Sequence, residues 1–387
     1  MNKRHIATAT AGFLMLVAFL VTKPLVSTPA WLNWIGPLTL SAIVTLSIIP
    51  PLQWLAHRVG LLDEPDERKR HEGSIPLVGG IAIFSGFLVT NLIYGYYQEN
   101  TAVRAVMIAL VPLLAVGVLD DRKHLPASVK LLVQLASVAI VISGGVRLTF
   151  IREVWWGDLL EMIITAVWLI GVTNAINFLD GIDGLAASLT IIAATAFGLV
   201  AIQTDQPFFL LLCAALGGAC IGFLPFNFRR APASVFLGDS GSTLLGFSLA
   251  SIAIVGEWGG PGAIALDVVV PLLILGVPIF DTTFITLTRI AEGRIRNFRE
   301  WLEYTGRDHI HHRMLNLGLN RYDTVGFICV ISIVLALSAI ILKNATGFLA
   351  ILSLLQGCII LTIVGRFTLF VEKRTNFETR SSDGSTE

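Results

Sequence analysis

Charge is scarce in this chain. Only 14% of its 387 residues are Asp, Glu, Lys or Arg, against about 25% in a soluble globular domain. With 55% hydrophobic residues and a mean hydropathy of +0.77, that scarcity excludes an ordinary water-soluble fold. It predicts an all-α polytopic membrane protein. Cysteine is also rare. Cys213, Cys220, Cys329 and Cys358 all lie in apolar runs, with no CxxC pair. That excludes a zinc knot and a disulfide framework and leaves four small apolar side chains. HExxH and GxSxG are absent, which argues against a zinc protease and a serine acyl transferase. No internal repeat and no extramembrane domain is visible. The formal net charge is zero, so the total points to no partner of either sign, and no nucleic-acid partner is expected.

Long apolar runs are abundant. A membrane span needs roughly 20 apolar residues. Runs of that kind cover 6–27, 34–56, 77–97, 102–119, 131–146, 159–178, 185–203, 208–226, 240–256, 264–288, 323–342 and 347–370. That predicts about 11 to 12 transmembrane helices. The first run follows "MNKRH", and "VSTPA" is a poor cleavage site, so a retained anchor over 1–30 is expected. The membrane domain then covers 31–370, and the polar tail 371–387, ending "RSSDGSTE", is expected to be disordered and cytoplasmic. With the N-terminus in the cytoplasm and the spans alternating, 22 of the 27 Lys and Arg residues fall inside. Only Lys23, Arg104, Arg147, Arg152 and Lys343 fall outside. The positive-inside rule selects this orientation.

The unusual polar motifs then share one face. They are "DEPDERKRHEGSIPLVGG" in 57–76, "LDDRKHLPASVK" from 119, "NAINFLDGIDGLAASL" from 174, "FNFRRAPASVFLGDSGS" before and into the ninth run, and "RIAEGRIRNF" with "GRDHIHHR" in 289–321. Each has a plain alternative. Asp120 and Asp121 can be a solvated acidic pair beside Arg122 and Lys123. Asp239 and Ser240 can cap a helix, although Gly238 and Gly241 also suit close backbone approach to a ligand. His309 and His312, one turn apart, can belong to a wet basic loop. The stretch from Asn174 is harder to dismiss. Asn174, Asn177 and Asp180 recur at three-residue spacing in an apolar run, and hydrocarbon tolerates such groups only when they face a polar cavity. Together the motifs offer hard oxygen ligands suited to Mg²⁺ or Mn²⁺ and Arg, Lys and His suited to phosphate oxygens. The chemistry they describe is metal-assisted phosphoryl transfer at the cytoplasmic membrane surface, with a lipid substrate.

In order and context, "RKRHEGSIPLVGG", "LDDRK", "NAINFLDGIDGLA", "FLGDSGS" and "DHIHHR" resemble the polyprenyl-phosphate N-acetylhexosamine-1-phosphate transferases, glycosyltransferase family 4, over about residues 35 to 370. These include the bacterial enzymes that start O-antigen (lipopolysaccharide), enterobacterial common antigen and wall teichoic acid synthesis. "DHIHHR" is similar to the HexNAc branch rather than the peptidoglycan branch. The resemblance implies that a UDP-N-acetylhexosamine and polyprenyl (undecaprenyl) phosphate give polyprenyl-diphospho-HexNAc and UMP, with Mg²⁺ as cofactor and Mn²⁺ as the alternative. It implies a multi-pass protein of the bacterial inner membrane whose active site faces the cytoplasm; a homodimer stays an open alternative. Carried onto this chain, it makes Asp120, Asp121, Asp180 and Asp183 the catalytic group, with Asp180 and Asp183 on the nucleotide side. Asp239 and Asn177 are the implied metal ligands, with Asp121 nearby. Lys69, Arg70, His71, Asn174, Arg294, His309, His311 and His312 are the implied substrate-binding residues. The rivals are a secondary transporter, whose intramembrane acids would mark an ion path, and a CDP-alcohol type phosphotransferase, whose later acid and glycine spacing this chain does not follow.

Overall fold

The computed structural model describes residue 12 and residues 32–64, 73–95, 98, 100–149, 154, 156–230, 232–260, 263–297, 300–301, 306, 308–342 and 345–383, with side chains to 370. Helices dominate: α1 Ile35–Val59, α2 Gly79–Tyr94, α3 Thr101–Lys123, α4 Ala127–Ser143, α5 Gly157–Leu179, α6 Leu185–Gln203, α7 Pro207–Asn227, α8 Gly238–Val255, α9 Ile264–Ile274, α10 Gly276–Ala291, α11 Ile310–Asn316, α12 Arg321–Ile341 and α13 Gly347–Asp383. Eight of them are long and apolar enough to cross a membrane, and the protein is a multi-pass all-α membrane protein. The expected anchor over 6–27 lies, apart from residue 12, outside the described residues.

Three expectations are corrected. The run 264–288, expected as one straight span, is two helices, α9 and α10, bent by 76° between Ile274 and Gly276, the shape of a broken span or a re-entrant pair. Pro271 and Pro278 bracket the bend, and each removes a helical N–H. α2 and α4, with 16 and 17 residues, are shorter than a full span. The backbone also stays helical to Asp383, where composition had suggested an unstructured tail; Glu372, Lys373 and Arg374 are good helix formers.

Helix α8 is the hub, packed against α3, α5, α2 and α6. Small residues let backbones touch, as they must where lipid supplies no hydrophobic drive between helices. A Cβ on Gly117 of α3 would lie 2.3 Å from the Ser240 Cα. That contact brings Asp120 and Asp121, one turn further on, up to the start of α8. A short antiparallel hairpin, β1 Leu62–Asp63 and β2 Ile75–Pro76, extends the same junction. Pro76 O accepts from Phe236 N at 2.9 Å, while Gly79 N and Gly80 N donate to Phe236 O and Leu237 O at 3.0 Å. The segment leading into Asp239 is thereby fixed before α8 begins. The hairpin, the ends of α3, α5, α7 and α10, and the starts of α4, α6, α8 and α12 all lie at one end of the bundle.

Candidate active site

A cavity of about 590 Å³ opens at that end. Six aspartates line it: Asp63, Asp120, Asp121, Asp180, Asp183 and Asp239. Asn177, Asn227, Phe236, His124, His312 and Asn316 join them. Segments far apart in sequence therefore meet, and they meet at helix ends rather than at mid-span, where a transport pathway would place its acids.

On the α3/α8 side the carboxylates are held in place. Lys130, in the first turn of α4, puts its Nζ 2.8 Å from Asp120 Oδ2 and 3.1 Å from Asp239 Oδ2. Asp120 also accepts from Leu125 N at 2.6 Å. Asp121 accepts from the backbone N–H groups of Asp239 at 2.7 Å and Ser240 at 3.3 Å. It thus caps the free N–H groups that open α8, and Asp239 is aimed by its neighbour's cap. Asn177 Nδ2 donates to Asp239 Oδ1 at 3.1 Å and to Ser242 Oγ at 2.8 Å, which leaves its amide oxygen for a ligand.

Across the cavity α5 ends at Leu179 and α6 starts at Leu185. Gly184 makes the turn with φ +83°, and its N–H is taken by Asn227 Oδ1 at 2.6 Å. A side chain at Gly181 would meet His311 Nε2 at 2.2 Å, so only glycine fits there. Asp183 is gripped by Arg321, which also donates to Arg229 O at 2.7 Å. Asp180 accepts no side-chain hydrogen bond from a described residue. Burial pushes its carboxyl well above the usual carboxylate range, and the charges of Asp239, Asp183 and Asp121 add to the effect.

The histidines are graded in access. His312 lines the cavity. His311 is fully buried, and neither ring nitrogen has a partner among the described residues. Burial, with His312 and His309 beside it, holds its imidazole well below the usual range. His309 is buried against Asp281, Nδ1 to Oδ2 at 2.7 Å. Asp308 is paired with Arg289 through Nε at 2.8 Å and through Nη2. Burial alone would raise the Asp308 carboxyl, but the Arg289 hydrogen bonds and charge outweigh it and hold it low.

Two expected substrate residues lie elsewhere. Asn174 does not line the cavity: it exchanges amide hydrogen bonds with Gln134 at 3.0 and 3.3 Å. Arg294 sits exposed after α10, paired with Glu292 at 2.9 Å. Lys69, Arg70 and His71 lie outside the described residues. Conversely, Lys130 and Asp281 went unnoticed as site residues. Each is a lone charge in an apolar run, and that was the available signal.

The donor set can be tested against a divalent cation. Among the described residues no group of three or more His, Cys, Asp or Glu is arranged to hold a metal. Magnesium rarely needs one: it is commonly held by one or two carboxylates, with substrate phosphates and water completing the shell. Six carboxylates line the cavity, and the described ion pairs tie Asp120 and Asp239 to Lys130 and Asp183 to Arg321. Hard oxygen donors gathered in this way fit Mg²⁺ held in that shared way.

Fold and cavity together define a class: a polytopic membrane protein with a carboxylate-rich site at one end of its helical bundle. A family model described as glycosyl transferase family 4 matches residues 103–257. The chain is 33% identical over 339 residues, 86% of its length and 92% of the relative's, to the probable undecaprenyl-phosphate N-acetylglucosaminyl 1-phosphate transferase of Bacillus subtilis. It is 31% identical over 308 residues, 76% of its length and 80% of the relative's, to the undecaprenyl-phosphate alpha-N-acetylglucosaminyl 1-phosphate transferase of Yersinia pestis. To the decaprenyl-phosphate N-acetylglucosaminephosphotransferase of Mycobacterium tuberculosis it is 29% identical over 309 residues, 72% and 74% of the two chains. The chain belongs to glycosyl transferase family 4.

Proposed function

We propose that the protein transfers N-acetylhexosamine 1-phosphate, with N-acetylglucosamine as the favoured sugar, from a UDP-sugar to undecaprenyl phosphate. UMP is released, and the product starts a cell-surface polysaccharide at the cytoplasmic face of the bacterial inner membrane. The observation that carries this reading is the meeting of six aspartates in one cavity in a helical bundle that leaves large apolar side chains such as Val129, Leu132 and Phe178 exposed. The names of the relatives point the same way.

An oxygen of the lipid phosphate attacks the β-phosphorus of the UDP-sugar. A new P–O bond forms, the bond from that phosphorus to the bridging oxygen breaks, and UMP leaves with the electron pair. The nucleophile is already largely ionised at neutral pH, the second phosphate pKa being about 6. The difficulty is therefore charge repulsion, not proton removal. Lys130 stands between Asp120 and Asp239 and can turn to an incoming phosphate. His312, on the cavity wall, faces the diphosphate or sugar. Asp180 and Asp183 flank the nucleotide, and Asp121 keeps Asp239 in register. Asp239 and the Asn177 amide oxygen would hold Mg²⁺, which when bound offsets the charge of the reacting phosphates.

The test uses membranes carrying the protein, undecaprenyl phosphate and labelled UDP-GlcNAc, UDP-GalNAc or UDP-FucNAc. Lipid-linked HexNAc diphosphate and one UMP per product are expected, fastest with UDP-GlcNAc. No lipid-linked product with any donor would overturn the reading.

A further inference from the structure

Helix α10 carries two buried charges that the reaction does not explain. Asp281 is 3% and Arg289 5% exposed. With Ile285 between them they form a row at four-residue spacing on the buried side. A charge in such a setting is retained where it has both a partner and a task. Both charges grip the three residues that open the histidine motif. Arg289 holds both Asp308 oxygens. Asp281 takes His309 Nδ1 at 2.7 Å on one oxygen and the Ile310 N–H at 2.9 Å on the other. The two contacts have opposite polarity, so the segment cannot slide by one residue without setting like charges together.

This grip is transmitted to the cavity. Because a carboxylate only accepts, Asp281 fixes His309 with its proton on Nδ1. Its second oxygen satisfies an N–H group that opens α11. His312 follows one turn later and lines the cavity, its ring 4.1 Å from that of His311. On the far side the His309 ring rests 5.2 Å from Phe178, just before the Asp180 loop.

We propose that Asp281, supported by Arg289, is a positioning residue for the sugar-nucleotide donor: it docks α11 on α10 and so sets His312 against the donor diphosphate. This rests on the reaction proposed above and deepens it. Asp281 touches no substrate; it acts through His309, Ile310 and His312.

Asp281→Asn keeps the side-chain size but turns one acceptor into a donor, so His309 stays bonded only by moving its proton to Nε2, and the charge-assisted hydrogen bond to Nδ1–H is lost. The variant is expected to raise the donor KM about tenfold, the scale of one lost charge-assisted hydrogen bond. Acceptor KM and kcat should stay within about twofold, and the protein should still melt cooperatively in detergent. In a His312→Ala background, Asp281→Asn should add almost nothing to the donor KM. A merely structural role predicts a different result, in which both KM values and kcat worsen together and the loss is the same with or without His312; that result would overturn the proposal. If Asp281→Asn fails the melting control, Arg289→Lys is measured in its place, since it keeps the charge but loses the two-pronged hold on Asp308. A donor KM unchanged in that variant would be equally fatal. Wild-type protein making no lipid-linked product would sink the reaction itself, whereas normal wild-type turnover with an unmoved donor KM in the variants sinks only this inference.

Discussion

On one side of the cavity Asp120 and Asp239 share the Lys130 ammonium, and Asp121 holds the backbone of Asp239 and Ser240. On the other, Asp180 has no hydrogen-bonded side-chain partner among the described residues and sits at the end of a broken helix. The first arrangement is built before any ligand arrives. Its groups lie on or against α3, α4 and α8, so their spacing is set by helix packing, and such preorganisation is what stabilises developing charge. The second is a buried carboxyl on a loop whose Gly184 N–H is held by Asn227 and whose Gly181 lies against His311. For the reaction proposed above, the α3/α8 side would serve the reacting phosphates and the Asp180 side recognition and proton control.

The comparison breaks most severely at Asp239. Asp239→Asn keeps the contact with Asn177 but removes the charge that pairs with Lys130 and that would hold a divalent cation. Turnover should fall at least about a hundredfold, since charge compensation at a transferring phosphoryl group supplies several kcal/mol. UMP release in detergent, with a melting control, measures it. Chelation by EDTA should silence the wild type, and Mg²⁺ should restore it. A folded variant with near-normal turnover would remove Asp239 from the site.

Asp180→Asn probes the opposite side. Turnover should drop roughly tenfold or more, within the usual range for a positioned acid or base. The stability effect has a definite sign. The folded carboxyl is raised above its ordinary value near 4. Its contribution to stability is therefore fully present below about pH 4 and is lost as pH rises toward the raised value. The melting temperature of ligand-free wild type should carry a downward component across that window, and the Asn variant should lack it. Parallel melting profiles for the two proteins would show that Asp180 is not held as described.

Gly181→Ala attacks the close approach of the loop to His311. The new methyl would lie 2.2 Å from His311 Nε2, and overpacking of this kind costs about 1 to 3 kcal/mol. A lower melting temperature and a several-fold loss of turnover are expected. Shortening the neighbour in Gly181→Ala/His311→Ala should recover more stability than the two single losses predict, because the clash then disappears. Strictly additive losses would mean that the loop and the histidine do not bear on each other.

Much of this architecture was legible in the chain. Apolar runs located the helices because hydrocarbon admits little else. The motifs located the cavity because Asp120, Asp121, Asn177, Asp180, Asp183, Asp239 and His312 are too polar for any other address. Hydropathy averages over a run, so it missed the bend between α9 and α10. Motif matching also missed partners that stand alone: Lys130 and Asp281 are single charges, and only their contacts, 109 residues away to Asp239 and 28 to His309, reveal what they do. Asp121 was expected near the metal ligands from its residue type; its contact as the cap of α8 was hidden because it depends on a helix 118 residues later.

The smallest effect is expected at Asn174, and it tests how the two sides are divided. The spacing of Asn174, Asn177 and Asp180 suggested one shared face, but three residues fall short of a helical turn by about 60°. Two such steps carry Asn174 away from the cavity and onto Gln134. There the amides satisfy each other within the bundle, and Asn174 also donates to Ile170 O at 2.8 Å. Asn174→Leu alone strands the Gln134 amide, which should cost about 1 to 3 kcal/mol of stability. Turnover and donor KM should move by no more than about threefold, because no phosphate or nucleotide contact is lost. Replacing both amides, in Asn174→Leu/Gln134→Leu, removes the stranded group, and stability should return to near wild type. Melting curves and donor kinetics on the three variants distinguish the outcomes. A large rise in donor KM for Asn174→Leu that the double variant does not relieve would put Asn174 back in the nucleotide site and move the boundary of the cavity one turn deeper into α5.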